Sequence, residues 1–354
     1  MKKLTLQAAL AAAALASLLV HAAPAAAQSD ILLRLRSGSP LGDRFRVDSA
    51  SGFVARGYIG IGIIPFSGAG DRLMWHPFKG AFRTGGVDGT QWDDGSTGFY
   101  TIAAGYNTTA EGNYSTAMGY GSRAQLSYGV ALGYTANSNG TAAVAIGYRA
   151  TANSDYGIAI GQRASTNGFD GAIVISDQSS SDSVLASATN QFSVRAAGGY
   201  RLFTNATKTT GVSLNAGGSS WNVISDRNRK ESFLAVDGED LLSRIRGIPV
   251  TTWRYRDEAD RTVRHIGPMA QDWQRAFGFS ADGTTINMSD FDGVNLAAIQ
   301  ALDARAAGQE ARIRALEAEN ARLRQQNERI LADQARTDER LRRLEALAAG
   351  ATTP

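Results

Sequence analysis

A glycine that recurs every fourteen residues is the feature that most constrains how this chain folds. It stands at positions 105, 119, 133, 147 and 161, and each copy follows an alanine and then an apolar residue. Such alternation places small and larger side chains on opposite faces of a short strand. The pairs ahead of the glycines are Ala103-Ala104, Ala117-Met118, Ala131-Leu132, Ala145-Ile146 and Ala159-Ile160. The repeat length holds two short strands and two turns, which predicts one coil of a β-solenoid, with coils stacked about 4.8 Å apart.

The repeat also predicts two kinds of contact. The small-residue face permits another backbone to approach closely, which favours packing against neighbouring chains. Tyrosine follows the glycine in four copies and Gln162 in the fifth; the tyrosines are Tyr106, Tyr120, Tyr134 and Tyr148. This column is either a stacking platform for sugars or a ladder that stabilises adjacent coils, and we favour the ladder.

From about residue 100 to residue 178, these Ala-x-Gly strands resemble the head repeats of trimeric autotransporter adhesins. The resemblance implies a homotrimer whose head is a left-handed β-roll at a cell surface, where it binds a host-surface, matrix or glycan ligand. Outside the repeats, short apolar runs broken by glycine predict a β cap over residues 28–100. Short strands separated by turns predict a β neck over residues 179–224.

The first residues have the pattern of a secretory signal. Lys2-Lys3 precede an apolar run, and Ala25-Ala26-Ala27 form a small-residue cleavage pattern before Gln28. We therefore expect a secreted or cell-surface protein, at the outer surface of a Gram-negative-type cell, with no membrane span after signal removal. The sequence contains no cysteine, so tight oligomerisation is the expected substitute for disulfides.

Charge and composition narrow the remaining partners. The net charge is only +3 and the basic residues are spread along the chain, which argues against a nucleic-acid partner. The run from Gly57 to Gly62 superficially resembles a phosphate-binding loop, but no helix pattern follows it. We therefore expect no cofactor and no metal.

A change of composition marks the decapeptide from Ile224 to Phe233. Before it the chain is rich in Gly, Ser and Ala; after it come mixed α/β-like sequence and a long charged helix. Ser225 and Lys230 lie five residues apart here. By itself this spacing is more typical of a turn or a helix cap than of catalysis.

Together with Trp253, the run His265-Ile266-Gly267 and the terminal heptads, the decapeptide resembles the self-cleaving intramolecular chaperone domain of phage tail spikes and endosialidases. The resemblance runs from about Ser225 to the end of the sequence. It implies a domain that trimerises, guides folding of the β-structured region before it, and cleaves the Ile224–Ser225 bond. Ser225 matches the nucleophile, Lys230 the base, and His265 a supporting residue.

Such a serine–lysine pair works only when the lysine is neutral, so a reference lysine pKa near 10.4 must fall. Burial on assembly and a neighbouring cation both favour the neutral form. Arg229, where many relatives have an apolar residue, provides such a cation. We predict a self-processing serine peptidase with a single turnover and no external substrate. The sequence leaves open whether the lysine acts within its own chain or on a neighbour.

The last segment, residues 298–347, predicts a coiled coil. Its core positions follow a 3-4 spacing: Ile299, Leu302, Ala306, Gln309, Ile313, Leu316, Asn320, Leu323, Asn327, Ile330, Gln334, Thr337, Leu341 and Leu344. Asparagine at two a positions by itself favours a dimer. The repeats and the chaperone resemblance favour a trimer, which we predict.

The predicted fold is mainly β with C-terminal α: a β-solenoid head, a β neck, a small α/β chaperone domain and a coiled coil. The predicted boundaries are signal peptide 1–27, cap 28–100, repeats 101–178, neck 179–224, chaperone and autoprotease 225–297, coiled coil 298–347 and tail 348–354. The predicted function is an exported, homotrimeric adhesin-like or tail-fibre-like protein that releases its chaperone by autoproteolysis. The alternatives are a structural adhesin that trimerises without cleaving, and a spike that binds or cleaves carbohydrate.

Overall fold

The computed structural model describes residues 31–36, 43–49, 52–279 and 282–350. The predicted signal peptide lies outside these residues, as does the end of the tail. The chain divides into two compact units. The first holds the residues up to Arg201 together with Ser213–Trp221, and the second holds Leu202–Val212 and the residues from Asn222 onward.

Three antiparallel strands open the described part of the chain and pair in sequence order. They are β1 (Ile31–Arg36), β2 (Asp43–Asp48) and β3 (Phe53–Ala55). The Phe45 and Phe53 rings contact each other across β2 and β3 in a tilted arrangement, with centroids 6.4 Å apart.

Two sheets form the solenoid, and the strands of its fourteen-residue repeats pair in parallel, fourteen residues apart. The nine-stranded sheet contains β4 (Gly70–His76), β5 (Ala81–Val87), β6 (Ile102–Tyr106), β8 (Thr116–Tyr120), β10 (Val130–Tyr134), β12 (Val144–Tyr148), β14 (Ile158–Gly161), β16 (Ile173–Ser176) and β18 (Phe192–Arg195). The six-stranded sheet contains β7 (Thr109–Ala110), β9 (Arg123–Ala124), β11 (Asn137–Ser138), β13 (Thr151–Ala152), β15 (Ala164–Ser165) and β17 (Val184–Leu185). The predicted mainly β fold with a β-solenoid is confirmed, with about five coils.

The interior of the solenoid is made of small side chains. The alanine two residues before each repeat glycine is fully buried, and the second sheet adds buried alanines at Ala110, Ala124, Ala152 and Ala164. Two faces of small side chains allow the sheets of one chain to approach closely. The prediction that this face packs against neighbouring chains is therefore wrong, because the chain's own second sheet covers it.

The repeat glycine allows the backbones of successive coils to approach. Gly133 has a φ of +132°, and a Cβ added there would lie 2.2 Å from the carbonyl oxygen of Gly147. The same relation links Gly147 to Gly161 at 2.3 Å. Both the conformation and the space exclude a side chain, which explains the fixed glycine of each repeat.

The larger residues of the repeat strands lie on the outer face of the nine-stranded sheet. Along this face Met118, Leu132 and Ile146 occupy equivalent positions in adjacent strands, and each keeps part of its side chain exposed. At one end of the sheet, Trp75 pairs with Phe82, and both are more than one-third exposed. A continuous, partly exposed apolar face of this kind is typical of a protein–protein contact.

A buried arginine lies inside the solenoid at its first coil. Arg83 is fully buried in register with Ala103, and its guanidinium donates to the Phe82 carbonyl at 2.9 Å and to the Thr101 hydroxyl at 3.0 Å. Burial lowers the pKa of Arg83 to about 10, so the side chain still carries its charge at neutral pH.

After the solenoid, β19 (Gly199–Phe203), β20 (Gly211–Asn215) and β21 (Asn222–Val223) form a three-stranded sheet in that order. The remaining elements are α1 (Gly238–Arg246), β22 (Thr251–Trp253), β23 (His265–Gly267), α2 (Ala270–Phe277) and α3 (Met288–Gly350). The Asp237 carboxylate caps α1 by accepting the amides of Glu239 and Asp240. A small core joins the three helices through Leu241, Leu242, Trp273, Val294 and Ala298.

The helix α3 is 63 residues long, and only its first part packs on this core. Farther along, Leu316 is 52% exposed and Leu323 is 45% exposed, both at predicted heptad core positions. The predicted C-terminal helix is confirmed. Within the described ranges, no helix is both long enough and apolar enough to cross a membrane.

Candidate functional site

Ser225 and Lys230 meet because the chain between them forms a single tight turn. The Asp226 carboxylate accepts the Asn228 amide at 2.9 Å and caps a short 3₁₀ helix at Arg227–Arg229. The Lys230 amide closes this turn on the Arg227 carbonyl. Aspartate favours such caps because its short side chain reaches the free amides at the start of a helix.

The turn brings the two predicted catalytic groups into direct contact. The Lys230 Nζ lies 2.7 Å from the Ser225 Oγ, within hydrogen-bond distance. Both side chains are exposed in the single chain, whereas Ile224 is half-buried. A hydroxyl paired with an amine is the arrangement that an activated serine nucleophile requires. The two predicted catalytic side chains are thus in contact at the first residue after Ile224.

Arg229 is next to the lysine in the chain, but its guanidinium is held by other groups. It lies 3.4 Å from the Asp226 carboxylate and donates to the Thr209 carbonyl at 3.0 Å. Asp226 therefore both shapes the turn and offsets part of the positive charge. The place of Asp226, directly after Ser225 and two residues before Asn228, is a typical signal for such a cap.

His265 belongs to a separate cluster. It lies on β23 opposite Trp253 on β22, with ring centroids 4.7 Å apart, and Tyr255 packs against the same imidazole. Its Nε2 lies 3.1 Å from a carboxylate oxygen of Glu258. Among the described residues, neither Ser225 nor Lys230 is a hydrogen-bond partner of this histidine.

Glu258 was missed by the sequence analysis, and no local signal marks it. It lies seven residues before His265, in the segment between the two strands, where neither helical nor strand periodicity links the pair. Only the antiparallel pairing of β22 and β23 brings the segment back to the imidazole. In the described parts of the chain, no group of three or more His, Cys, Asp or Glu side chains is arranged to hold a metal ion.

Comparison with protein families agrees with the two predicted resemblances. Residues 225–281 match the family described as the chaperone of endosialidase, and the match begins at Ser225. Residues 96–122, 127–150 and 138–164 match the YadA head domain repeat. The predicted order, head repeats followed by chaperone, is confirmed. No curated protein and no solved structure matches the chain.

These matches support a trimeric protein of the adhesin or tail-fibre kind, with a chaperone domain C-terminal to its solenoid. The head repeats indicate an extracellular or surface location. The Tyr106, Tyr120, Tyr134 and Tyr148 rings stack in sequence at 5.1 to 5.6 Å, as the ladder prediction requires.

Proposed function

We propose that this chain is exported through its signal peptide, assembles as a homotrimer and then releases its C-terminal chaperone by cutting the Ile224–Ser225 bond. The observation that carries the proposal is the 2.7 Å contact between Ser225 Oγ and Lys230 Nζ at the first residue of the chaperone match. The products would be an N-terminal fragment that contains the head and a C-terminal fragment that contains the chaperone domain. Intact mass under denaturing conditions tests the proposal directly.

The proposed reaction is an acyl transfer followed by hydrolysis. Lys230, as a neutral amine, takes the hydroxyl proton while Ser225 Oγ bonds to the carbonyl carbon of Ile224. The C–N bond then breaks, and the lysine returns the proton to the leaving nitrogen, which becomes the α-amino group of the C-terminal fragment. Water hydrolyses the resulting ester, leaving a carboxylate on Ile224 and restoring the hydroxyl. Because nucleophile and carbonyl belong to adjacent residues, no bimolecular encounter is needed.

We propose that cleavage begins only after the three chains have assembled. In one chain both reacting side chains are exposed, so water surrounds the amine. Covering the site in a trimer removes that water and favours the neutral form of a lysine. Cleavage would thus follow correct assembly. His265, paired with Glu258 in each chain, is proposed as a supporting residue that acts on the dyad only in the assembled state.

Two apolar surfaces support a homotrimer. One is the outer face of the nine-stranded sheet, and the other is the exposed heptad stripe of α3. A single chain leaves both in contact with water, which the association of identical chains would relieve. We propose that the α3 stripes form a three-stranded coiled coil and that the sheet faces pack together in the head.

The heptad stripe gives a test of assembly. We expect Leu316→Lys combined with Leu323→Lys to convert the trimer to monomers, because each copy would place two cations in an apolar seam. The loss of association free energy per chain should exceed about 2 kcal/mol at each position. Sedimentation velocity and light scattering measure the molecular mass in solution. Cleavage should fall together with trimer content.

The control for this variant is Ala318→Lys, which adds one lysine to the same helix between the two leucines but off the stripe. It should leave both the trimer and the cleavage intact. A double variant that still sedimented as a trimer would contradict the coiled-coil proposal. A monomer that still cleaved at the normal rate would contradict the link between assembly and cleavage.

A further inference from the structure

A second column of tyrosines runs along the solenoid at the turn that precedes each repeat strand. Its five positions are Tyr100, Tyr114, Tyr128, Ala142 and Tyr156, again fourteen residues apart. All five have φ between +53° and +64°, in the left-handed region. Bulky side chains rarely adopt this conformation, whereas glycine or asparagine adopts it at low cost. The turn alone does not explain four tyrosines here.

The first three rings of this column stack face to face. Tyr100 and Tyr114 have ring centroids 5.4 Å apart with an interplanar angle of 7°, and Tyr114 and Tyr128 are 5.3 Å apart at 4°. Each ring is nevertheless about half exposed, because one edge of the stack faces solvent. The stack ends at Tyr128, since the next position in the column is an alanine.

Ala142 leaves a gap of one ring in this stack. The Ala142 amide bonds to the Ser127 carbonyl, and the Tyr156 amide bonds to the Thr141 carbonyl, so the backbone column continues without a break. Tyr128 and Tyr156 are therefore two coils apart, which is twice the 5.3 Å step between Tyr114 and Tyr128. Tyr156 is 67% exposed, more than any other member of the column. A separation of two such steps corresponds to the space of one further ring of similar thickness.

A column of polar residues, here called the polar column, directly precedes the tyrosine column in the chain. The residues that precede this column in successive coils are Ser127, Thr141 and Asp155. The Asp155 carboxylate accepts the Thr141 amide at 2.7 Å through one oxygen, Oδ1. Hydroxyl and carboxylate groups beside an aromatic face are suited to bind the hydroxyl groups of a sugar, which both donate and accept hydrogen bonds.

We propose that the gap between Tyr128 and Tyr156 is a binding site for one pyranose ring of a β-linked, gluco-configured glycan. In that configuration every ring substituent is equatorial, so both faces of the sugar present only C–H groups and both can pack on tyrosine. The hydroxyl groups then point outward, toward the polar column. A galacto-configured sugar has an axial oxygen at C4 that would press against one wall. The polar column favours a sugar over an aromatic peptide side chain.

This proposal names a ligand for the adhesin-like head and in that respect rests on the proposed function. It does not depend on self-cleavage, because every residue that it uses lies in the first unit. Assembly and cleavage are measured by mass, whereas this site is measured by binding. Failure of one is therefore distinguishable from failure of the other.

Binding of cellotetraose to the full chain, with β-1,4-galactotetraose as the matched sugar, tests the proposal. Saturation-transfer NMR and calorimetric titration should detect the first sugar and show binding of the second at least about tenfold weaker, a loss of the size expected for one aromatic contact. Ala142→Tyr fills the gap and should abolish binding. It should also raise the thermal midpoint, because the stack becomes continuous.

Two further variants keep the test decisive even if Ala142→Tyr fails to fold. Tyr156→Ala removes one wall and should weaken cellotetraose binding at least about tenfold. Tyr148→Ala removes an exposed tyrosine of the other column, at the far end of the strand Val144–Tyr148 from Ala142, and should leave binding unchanged. Three results would overturn the proposal. The first is that the unaltered chain does not bind cellotetraose, for example because a neighbouring copy covers the gap. The others are equal binding of the two sugars, or equal losses of cellotetraose affinity in Tyr148→Ala and Tyr156→Ala.

Discussion

We expect the Ser225→Ala chain to remain whole under denaturing conditions, whereas the unaltered chain separates into two fragments. The new N-terminus should be Ser225, since the proposed reaction cuts the Ile224–Ser225 bond. Alanine keeps the turn, which is capped by Asp226 rather than by the serine, and removes only the nucleophile. Intact mass spectrometry and N-terminal sequencing measure both results. Ser232→Ala, in the same segment, is the control and should cleave normally.

The lysine variants separate the base from the positive charge. Lys230→Met should slow cleavage at least about 10²-fold, which is the low end of what a general base contributes. Lys230→Arg keeps a cation beside Ser225 but cannot act as a base at neutral pH, so it should be equally impaired. Lys208→Met removes another lysine of the second unit and should have no effect.

Two outcomes would contradict the self-cleavage proposal. One is an unaltered trimer that stays whole, which would favour the structural adhesin that assembles without cutting. The other is equal cleavage in the Ser225→Ala chain, which would place the reaction in a contaminating protease. Release of sugar products from a glycan substrate would instead favour the carbohydrate-cleaving alternative.

Gly133→Ala should have the largest effect on the fold. The added Cβ would lie 2.2 Å from the Gly147 carbonyl oxygen, and the backbone has a φ of +132° that alanine rarely adopts. The obstacle is backbone, so no side-chain rotation relieves it. Strain at the residue and separation of adjacent coils together should cost about 3 to 5 kcal/mol. Denaturant unfolding followed by circular dichroism measures this loss.

Gly95→Ala is the matched control, because its added Cβ meets no atom within 4 Å and its φ lies outside the left-handed region. It should change the free energy of unfolding by less than about 0.5 kcal/mol. If the two variants were equally stable, the argument that close backbone approach fixes the repeat glycine would be wrong. Cleavage in the Gly133→Ala chain should fall as well, if cutting follows correct assembly.

The period of fourteen residues predicted the solenoid because equivalent residues of successive coils must lie directly over one another, in register. That physical requirement is visible in the sequence as a register. The same pattern did not reveal which chain covers the small face. Ala131 is buried by the second sheet of its own chain, while Leu132 remains on the outside. Strand alternation predicts which residues share one face of a sheet, but it does not predict which other sheet or chain packs on that face.

The second tyrosine column shows a similar limit. Tyr114 and Tyr128 have the same spacing as the recognised column, yet their stacking depends on a left-handed turn conformation that strand alternation does not describe. Glu258 was missed for another reason, because its contact with His265 depends on the pairing of two strands in a short hairpin.

The sequence by itself determined the repeat and the long helix, because each depends on local spacing, whereas Ser225 and Lys230 were singled out by the family resemblance and not by their spacing. The tertiary structure decided what these groups contact. A turn capped by Asp226 closes Ser225 and Lys230 to 2.7 Å, and the same carboxylate engages Arg229. Such contacts depend on distances through space, which spacing along a chain constrains only within one turn or one strand.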